Sequence, residues 1–125
     1  MSKILIVEDD LPMTRLLQTL LSLEGFDAVS TPRADAVVKM TLEERPDLLV
    51  MDLHLGQDNT FGVLKQLKHD PATQKVPVII VSGLEAEEEC TRAGADAFIL
   101  KPYSPNKLLA VMRTLVKQSN SRLVA

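Results

Sequence analysis

The sequence alternates between short aliphatic runs and longer segments in which apolar residues recur at helical spacing. The aliphatic runs are residues 4–7, 28–30, 48–51, 78–81 and 97–100. Strands that are apolar throughout are expected to be buried on both faces, which requires helices on either side of a parallel sheet. The alternation therefore predicts an α/β fold, a (βα)5 chain whose doubly wound parallel sheet has right-handed crossovers.

The helical segments are bounded by residues that commonly start or end helices. The predicted helices are residues 11–24, 32–45, 61–69, 85–92 and 105–117. Pro12, Pro32 and Pro105 each stand beside a capping residue at a predicted helix start. We interpret Asp10 as the cap of the first helix rather than as a ligand. The acidic residues of segment 85–89 are expected in the first turn of the fourth helix, where the helix dipole favours negative charge.

Composition narrows the class of protein further. With 125 residues, 46% of them hydrophobic and 25% charged, the chain has the make-up of one globular domain. Its net charge of −3 and its aromatic content of 3% argue against direct nucleic-acid binding. The single cysteine, Cys90, cannot form an internal disulfide, and the apolar runs are too short to span a membrane. We therefore expect a cytoplasmic protein.

Polar residues follow four of the predicted strands at the point where each strand ends. Glu8 and Asp9 follow the first strand, Asp52 the third, Ser82 the fourth and Lys101 the fifth. In a parallel sheet these ends meet at one edge, where ligands bind near the switch point of the strand order. Clustered carboxylates without a suitable His or Cys favour a hard cation such as Mg²⁺ or Mn²⁺. Serine and lysine can bind phosphoryl oxygens, and an aspartate can be the nucleophile that forms an aspartyl phosphate.

Four stretches carry a resemblance to a known family over residues 3–116. They are Lys-Ile-Leu-Ile-Val-Glu-Asp-Asp, Pro-Asp-Leu-Leu-Val-Met-Asp-Leu, Pro-Val-Ile-Ile-Val-Ser-Gly and Gly-Ala-Asp-Ala-Phe-Ile-Leu-Lys-Pro-Tyr. In this order and at these spacings the chain resembles the receiver domain of two-component response regulators. The resemblance implies a flavodoxin-like fold with strand order 2-1-3-4-5. It also implies a receiver domain at residues 1–118, followed by a short C-terminal tail at residues 119–125.

The resemblance assigns roles to the phosphoacceptor and its metal ligands. It implies that Asp52 takes a phosphoryl group from the phosphohistidine of a sensor histidine kinase or a phosphotransfer protein. Asp9 is then a direct Mg²⁺ ligand, Glu8 assists through water, and the main-chain carbonyl of His54 completes the protein ligands together with Asp52. The implied protein is a signalling domain and not an enzyme. It catalyses only its own Mg²⁺-dependent phosphorylation and dephosphorylation.

Further residues are assigned to phosphoryl binding and to signal output. The resemblance implies that Ser82 and Lys101 bind the phosphoryl oxygens and that Phe98 occupies the aromatic switch position. It also implies a cis peptide bond between Lys101 and Pro102, which only a bond to proline makes inexpensive. The implied downstream partner is an effector protein or a fused output domain.

The sequence departs from the family pattern in three places. The loop of residues 56–60 lacks the usual Pro-Gly at its start and the usual Gly at its end. The switch hydroxyl belongs to serine, where threonine is also common. Ser82 and Lys101 are 101 − 82 = 19 residues apart, which is shorter than expected for the family by nearly one helical turn. The shortening falls in or beside the fourth helix, part of the face that many relatives use for output and dimerisation.

The residues by themselves leave three alternative functions open. An aspartate-nucleophile phosphatase usually has Asp-x-Asp after the first strand, whereas this chain has adjacent acids. A flavin-binding flavodoxin needs a hydroxyl- or glycine-rich phosphate loop there, and acids repel phosphate. A pseudo-receiver that serves only as an interaction module does not need the full set of site residues. Mg²⁺ with beryllofluoride is a direct test, because it should perturb a receiver domain strongly, whereas a flavodoxin and a pseudo-receiver would ignore it.

Overall fold

A five-stranded parallel sheet forms the centre of the computed structural model, which describes the backbone of residues 2–124 and the side chains of residues 2–117. Its strands are β1 (Lys3–Val7), β2 (Asp27–Thr31), β3 (Leu48–Asp52), β6 (Val78–Ser82) and β7 (Ala97–Leu100). Two short strands, β4 (His54–Leu55) and β5 (Asp58–Asn59), pair separately as an antiparallel hairpin. The predicted α/β class is therefore confirmed, with one small addition.

The strand order of the sheet is β2-β1-β3-β6-β7. Because β6 and β7 are the fourth and fifth strands of the main sheet, this is the predicted order 2-1-3-4-5. β2 lies on one side of β1, whereas β3, β6 and β7 lie on the other side. The strand order therefore reverses between β1 and β3. The crevice at a switch point of this kind lies outside the carboxyl ends of the strands, which here are Val7 of β1 and Asp52 of β3.

In the described part of the chain, five α-helices cover the two faces of the sheet. They are α1 (Leu11–Leu23), α2 (Val37–Glu44), α3 (Phe61–His69), α4 (Glu87–Arg92) and α5 (Pro105–Val124). The interpretation of Asp10 as the cap of α1 is confirmed, since its side chain accepts a hydrogen bond from the backbone N–H of Met13. Helix α4 has only six residues, as the short interval before Lys101 suggested.

Three predicted helix limits are wrong. Pro32 does not begin α2, because Arg33 is extended and a 3₁₀ turn at Ala34–Ala36 precedes the helix. Glu85 lies before α4, which has no side-chain cap, so only the acids at 87–89 occupy its first turn. Helix α5 continues to Val124 instead of ending at residue 117; no Gly or Pro after Pro105 stops it.

The core consists of two apolar clusters, one on each face of the sheet. Because successive side chains of a strand point to opposite faces, β1 contributes to both. Ile4 and Ile6 belong to the cluster that includes Met112 of α5, whereas Leu5 belongs to the cluster that includes Leu64 of α3. Each side chain of this size that is removed from water contributes about 1.5–3 kcal/mol. The same packing fixes the strands whose carboxyl ends carry the polar residues.

Candidate functional site

The structure brings the polar residues predicted at the strand ends to one edge of the sheet. Glu8 directly follows β1, Asp52 ends β3, Ser82 ends β6 and Lys101 directly follows β7. The strand register explains the arrangement, since Asp52 pairs with Val81, the neighbour of Ser82. The backbone N–H of Lys101 donates to the carbonyl of Ser82 at 2.7 Å, which joins the last two strand ends.

Among the side chains that the structure describes, three carboxylates meet at this edge. Glu8, Asp9 and Asp52 each have an oxygen within 4.8 Å of the others. Glu8 and Asp52 are each only 7% exposed, while Asp9 is exposed. Like charges this close repel one another unless protons or cations neutralise them.

Backbone N–H groups hold each carboxylate in place. Glu8 Oε2 accepts from the N–H of Asp9 at 3.0 Å. Asp9 Oδ2 accepts from the N–H of Gly56 at 2.8 Å, and Asp52 Oδ1 from the N–H of His54 at 3.1 Å. The carboxylates are therefore oriented before any ligand arrives.

Lys101 supplies positive charge to the cluster. Its Nζ lies 2.6 Å from Asp52 Oδ2 and 3.5 Å from Glu8 Oε1. Burial lowers the pKa of Lys101, but its hydrogen bond to Asp52 and the two carboxylate charges outweigh burial, so the pKa is raised. The pKa of Glu8 is raised, chiefly by burial and also by the charge of Asp52. The peptide bond between Lys101 and Pro102 is cis, as the family resemblance implied.

The donor set of the cluster consists of oxygen atoms. Carboxylates of Glu8, Asp9 and Asp52 converge, and the main chain of His54 lies in the loop that Asp52 begins. Oxygen ligands in this number suit Mg²⁺, which binds one or two carboxylates and keeps several waters. The side chain of His54 is exposed, so only its main chain belongs to the edge. The residues present therefore fit a magnesium ion.

Ser82 and Phe98 occupy different depths. Ser82 is completely buried, and its Oγ accepts from the N–H of Leu84 at 3.0 Å. Phe98 pairs with Ile80 across β6 and β7, so it lies two residues behind the strand ends. Residues two apart along a strand share a face; Phe98 therefore lies on the same face as Ser82, half-buried against the cluster around α3 and α4. It therefore lies behind the site rather than within it.

The loop that departs from the family pattern forms the β4–β5 hairpin. Gly56, with φ of +58°, stands at the first central position of its two-residue turn, as type II′ hairpin turns require. Sequence reasoning missed the consequence: the Gly56 N–H reaches Asp9, and the buried Thr60 donates its hydroxyl to the carbonyl of Asp52 at 2.8 Å. The signal for a hairpin was present in Gly56 and Gln57, flanked by Leu55 and Asp58.

Comparison with known proteins identifies the family of this fold and site. A family model described as the response regulator receiver domain matches residues 4–113. The chain belongs to this family. Receiver domains are signalling domains of two-component response regulators, in which they act as phosphoacceptors. The resemblance drawn from the four sequence stretches is therefore confirmed.

Relatives and solved structures agree with the family. The phosphate regulon transcriptional regulatory protein PhoB of Escherichia coli strain K12 is 31% identical over 119 residues, which cover 93% of this chain and 52% of PhoB. A probable transcriptional regulator of Porphyridium aerugineum is also 31% identical over 119 residues, covering 93% of this chain and 48% of its own length. The chain thus spans about half the length of these curated relatives.

Solved receiver domains superpose closely on the structure. The beryllofluoride-activated N-terminal receiver domain of RstA from Klebsiella pneumoniae has a TM-score of 0.83 and 27% identity, covering 92% of this chain and 98% of that one. A CheY-like receiver domain from Methanospirillum hungatei has a TM-score of 0.88 at 24% identity and covers 98% of both chains, which supports the fold. In the part of the chain that the structure describes, no helix combines the length and apolarity needed to cross a membrane.

Proposed function

We propose that Asp52 is the phosphoacceptor and takes its phosphoryl group from the phosphohistidine of a sensor histidine kinase or a phosphotransfer protein. The observation that carries this proposal is the convergence on Asp52 of Lys101 at 2.6 Å and of two further carboxylates. Asp52 is the acid of this cluster that lies at the end of the central strand β3, beside the switch point.

The transfer is a displacement at phosphorus. One carboxylate oxygen of Asp52 forms a bond to phosphorus while the bond from phosphorus to the histidine nitrogen breaks, and the imidazole leaves with that electron pair. Negative charge on the phosphoryl oxygens needs donors in fixed positions. Lys101 Nζ is already at the site. The Ser82 Oγ accepts a hydrogen bond from the Leu84 N–H, so the Ser82 O–H can donate a hydrogen bond to a phosphoryl oxygen.

Asp9, Asp52 and the main-chain carbonyl of His54 are the residues that hold Mg²⁺ in this proposal, with Glu8 acting through water; Mn²⁺ has the same ligand preference. The ion supplies charge neutralisation for the phosphoryl oxygens. Glu8 is suited to an indirect role because the N–H groups of Asp9 and Asp10 and the ammonium of Lys101 already engage its oxygens.

Phosphorylation alters a protein-interaction surface through Ser82 and Phe98 in this proposal. The phosphoryl group adds negative charge and new acceptors at the strand ends. Movement of Ser82 toward it frees space on the face that Phe98 shares, and the half-buried ring can rotate inward. The recipient of the signal is an effector protein or a fused output domain.

The remaining parts of the proposal concern the extent and setting of the domain. We place the receiver domain at residues 1–118, with residues 119–125 as a C-terminal tail, although the helix α5 crosses that limit. We propose a cytoplasmic location and no direct contact with nucleic acid or membrane. The net charge of −3 and the buried, unpaired Cys90 support these assignments.

Beryllofluoride with Mg²⁺ tests the proposal, because it mimics a phosphoryl group on a carboxylate. Amide and ring resonances around Asp52, Ser82 and Phe98 are expected to shift in the wild-type protein and to stay unchanged in Asp52→Asn. Asp58→Asn, on the exposed hairpin, is the matched control and should respond like the wild type. A wild-type protein that binds Mg²⁺ but ignores beryllofluoride would instead be an interaction module without phosphoacceptor function. Shifts confined to Asp52 would show that the signal leaves by a route other than Phe98.

A further inference from the structure

Thr60 is completely buried although it directly follows the exposed hairpin. Its Oγ1 donates to the carbonyl oxygen of Asp52 at 2.8 Å and lies 3.3 Å from that of Leu53. Its backbone N–H donates to the carbonyl of Leu53 at 2.8 Å. The end of the hairpin is thus bound to the strand end from which the loop departs.

The tip of the same hairpin contacts the metal site. Gly56 donates its N–H to Asp9 Oδ2 at 2.8 Å with φ of +58°. A proline at this position would have no N–H and would fix φ near −65°. The contact with Asp9 therefore depends on a residue that keeps its N–H and accepts a positive φ, which glycine does.

We propose that Thr60 is a positioning residue, which holds the β4–β5 hairpin so that Asp52 and Asp9 are fixed for Mg²⁺ and phosphoryl binding. The inference rests on the proposed function and extends it to a residue that the family pattern does not assign. The hairpin is hydrogen-bonded to both residues: Thr60 joins its base to the main-chain carbonyl of Asp52, and Gly56 joins its tip to the carboxylate of Asp9.

Loss of the hydroxyl would act on both ends of this connection. Without it, the carbonyl of Asp52 loses a buried donor, and buried acceptors without partners are costly. The hairpin has only two residue pairs, His54 with Asn59 and Leu55 with Asp58, so its own pairing cannot hold the tip against Asp9. Removing a partner that orients metal ligands typically lowers metal affinity 10–100-fold. We expect the lower end, about tenfold, because Thr60 acts through the main chain.

Thr60→Val and Thr60→Ser test the role, because valine keeps the shape of threonine and serine keeps the hydroxyl. Mg²⁺ affinity is measured by titration of amide shifts, and phosphorylation by acetyl phosphate is followed at saturating Mg²⁺. Thr73→Val is the matched control. Thr73 is 2% exposed and donates its hydroxyl to the carbonyl of Leu67 at 2.7 Å, and it lies before β6, away from the carboxylate edge.

The expected result is about tenfold weaker Mg²⁺ binding and slower phosphorylation in Thr60→Val, with both restored in Thr60→Ser. Thr73→Val should lose stability but bind Mg²⁺ as the wild type does. A folded Thr60→Val with wild-type Mg²⁺ affinity would overturn the proposal, as would an equal loss of affinity in Thr73→Val. Failure of the proposed function is distinguishable, since the wild type itself would then not be phosphorylated.

If Thr60→Val does not fold, a Mg²⁺ titration of the wild-type protein still tests the proposal. The amides of Gly56 and Thr60 are expected to shift on Mg²⁺ titration with the same midpoint as that of Asp9, because the hairpin and the ligands form one connected unit. Unchanged hairpin amides while Asp9 shifts would overturn the proposal.

Discussion

Replacing Lys101 with methionine should destabilise the metal-free protein by an amount that Mg²⁺ largely restores. Methionine keeps an unbranched apolar side chain but removes the cation that lies 2.6 Å from Asp52 and 3.5 Å from Glu8. At 2.6 Å, attraction between unit charges ranges from ~1.6 kcal/mol in water to ~6 kcal/mol at an effective dielectric constant of 20. Desolvation and screening reduce the net value.

The exposure of the three groups sets the expected magnitude. The carboxylates are 7–8% exposed and the Lys101 side chain is 32% exposed, so the interaction lies between a surface pair, worth ~0.2–1 kcal/mol, and a buried one, whose loss costs ~3–5 kcal/mol. We expect Lys101→Met to lower the free energy of unfolding by about 2 kcal/mol. For a domain of this size that corresponds to a fall of roughly 8 °C in Tm.

Urea and thermal unfolding at several pH values, with chelator or with Mg²⁺, measure the effect. The loss should be largest at neutral pH without Mg²⁺. The loss of stability should shrink as pH falls toward the pKa of Glu8, which is raised above its ordinary value of 4.5. The folded state holds the Glu8 proton more tightly than the unfolded chain does, so protonation favours folding as pH falls. Added Mg²⁺ should restore stability because it replaces the lost positive charge.

Lys68→Met is the matched control for this experiment. Lys68 Nζ lies 2.8 Å from Asp96 Oδ2, with a side chain 13% exposed, at the edge of the sheet opposite to the carboxylates. Its loss should destabilise the protein equally with and without Mg²⁺. The reasoning is refuted if Lys101→Met unfolds at the same urea concentration as the wild type, or if Mg²⁺ restores Lys68→Met as much as Lys101→Met.

Three further substitutions give distinct outcomes. Glu8→Gln should stabilise the metal-free protein in urea at neutral pH, since burial raises the Glu8 pKa and disfavours its charge; equal or lower stability would contradict this. Asp10→Ala should cost about 1 kcal/mol in the same assay by removing the cap of α1, and wild-type stability would show that the cap contributes nothing. Gly94→Ala should lower Tm more than Gly25→Ala. Both glycines have positive φ, but a Cβ at Gly94 would lie 2.8 Å from Lys68 Cγ, whereas a Cβ at Gly25 would meet open space. Equal losses of Tm would contradict a role for this contact.

The sheet and the carboxylate edge could be predicted from the sequence because each depends on a repeated local pattern. Strands buried on both faces produce uninterrupted aliphatic runs, and parallel strands place their carboxyl ends together. Glu8, Asp52, Ser82 and Lys101 follow such runs directly, so their proximity required no knowledge of side-chain geometry.

The features that were missed have different physical causes. The hydrogen bond from Gly56 to Asp9 spans 47 positions, and no local sequence pattern around either residue predicts it. The start of α2 was misplaced because Thr31 Oγ1 accepts from the N–H of Arg33, which favours an extended turn over a helix beginning at Pro32. Helix α5 extends past the last apolar repeat to Val124, where hydrophobic periodicity gives no signal.

The identity of the phosphorylated residue is the central claim, and chemical trapping measures it directly. The wild-type protein is incubated with acetyl phosphate and Mg²⁺, and the acyl phosphate is reduced with borohydride, which converts a phosphorylated aspartate to homoserine. Peptide mass spectrometry then locates the product. The account predicts homoserine at position 52, lost when chelator replaces Mg²⁺. Homoserine at Asp9 or Asp58 instead, or none in a folded protein that binds Mg²⁺, would contradict it.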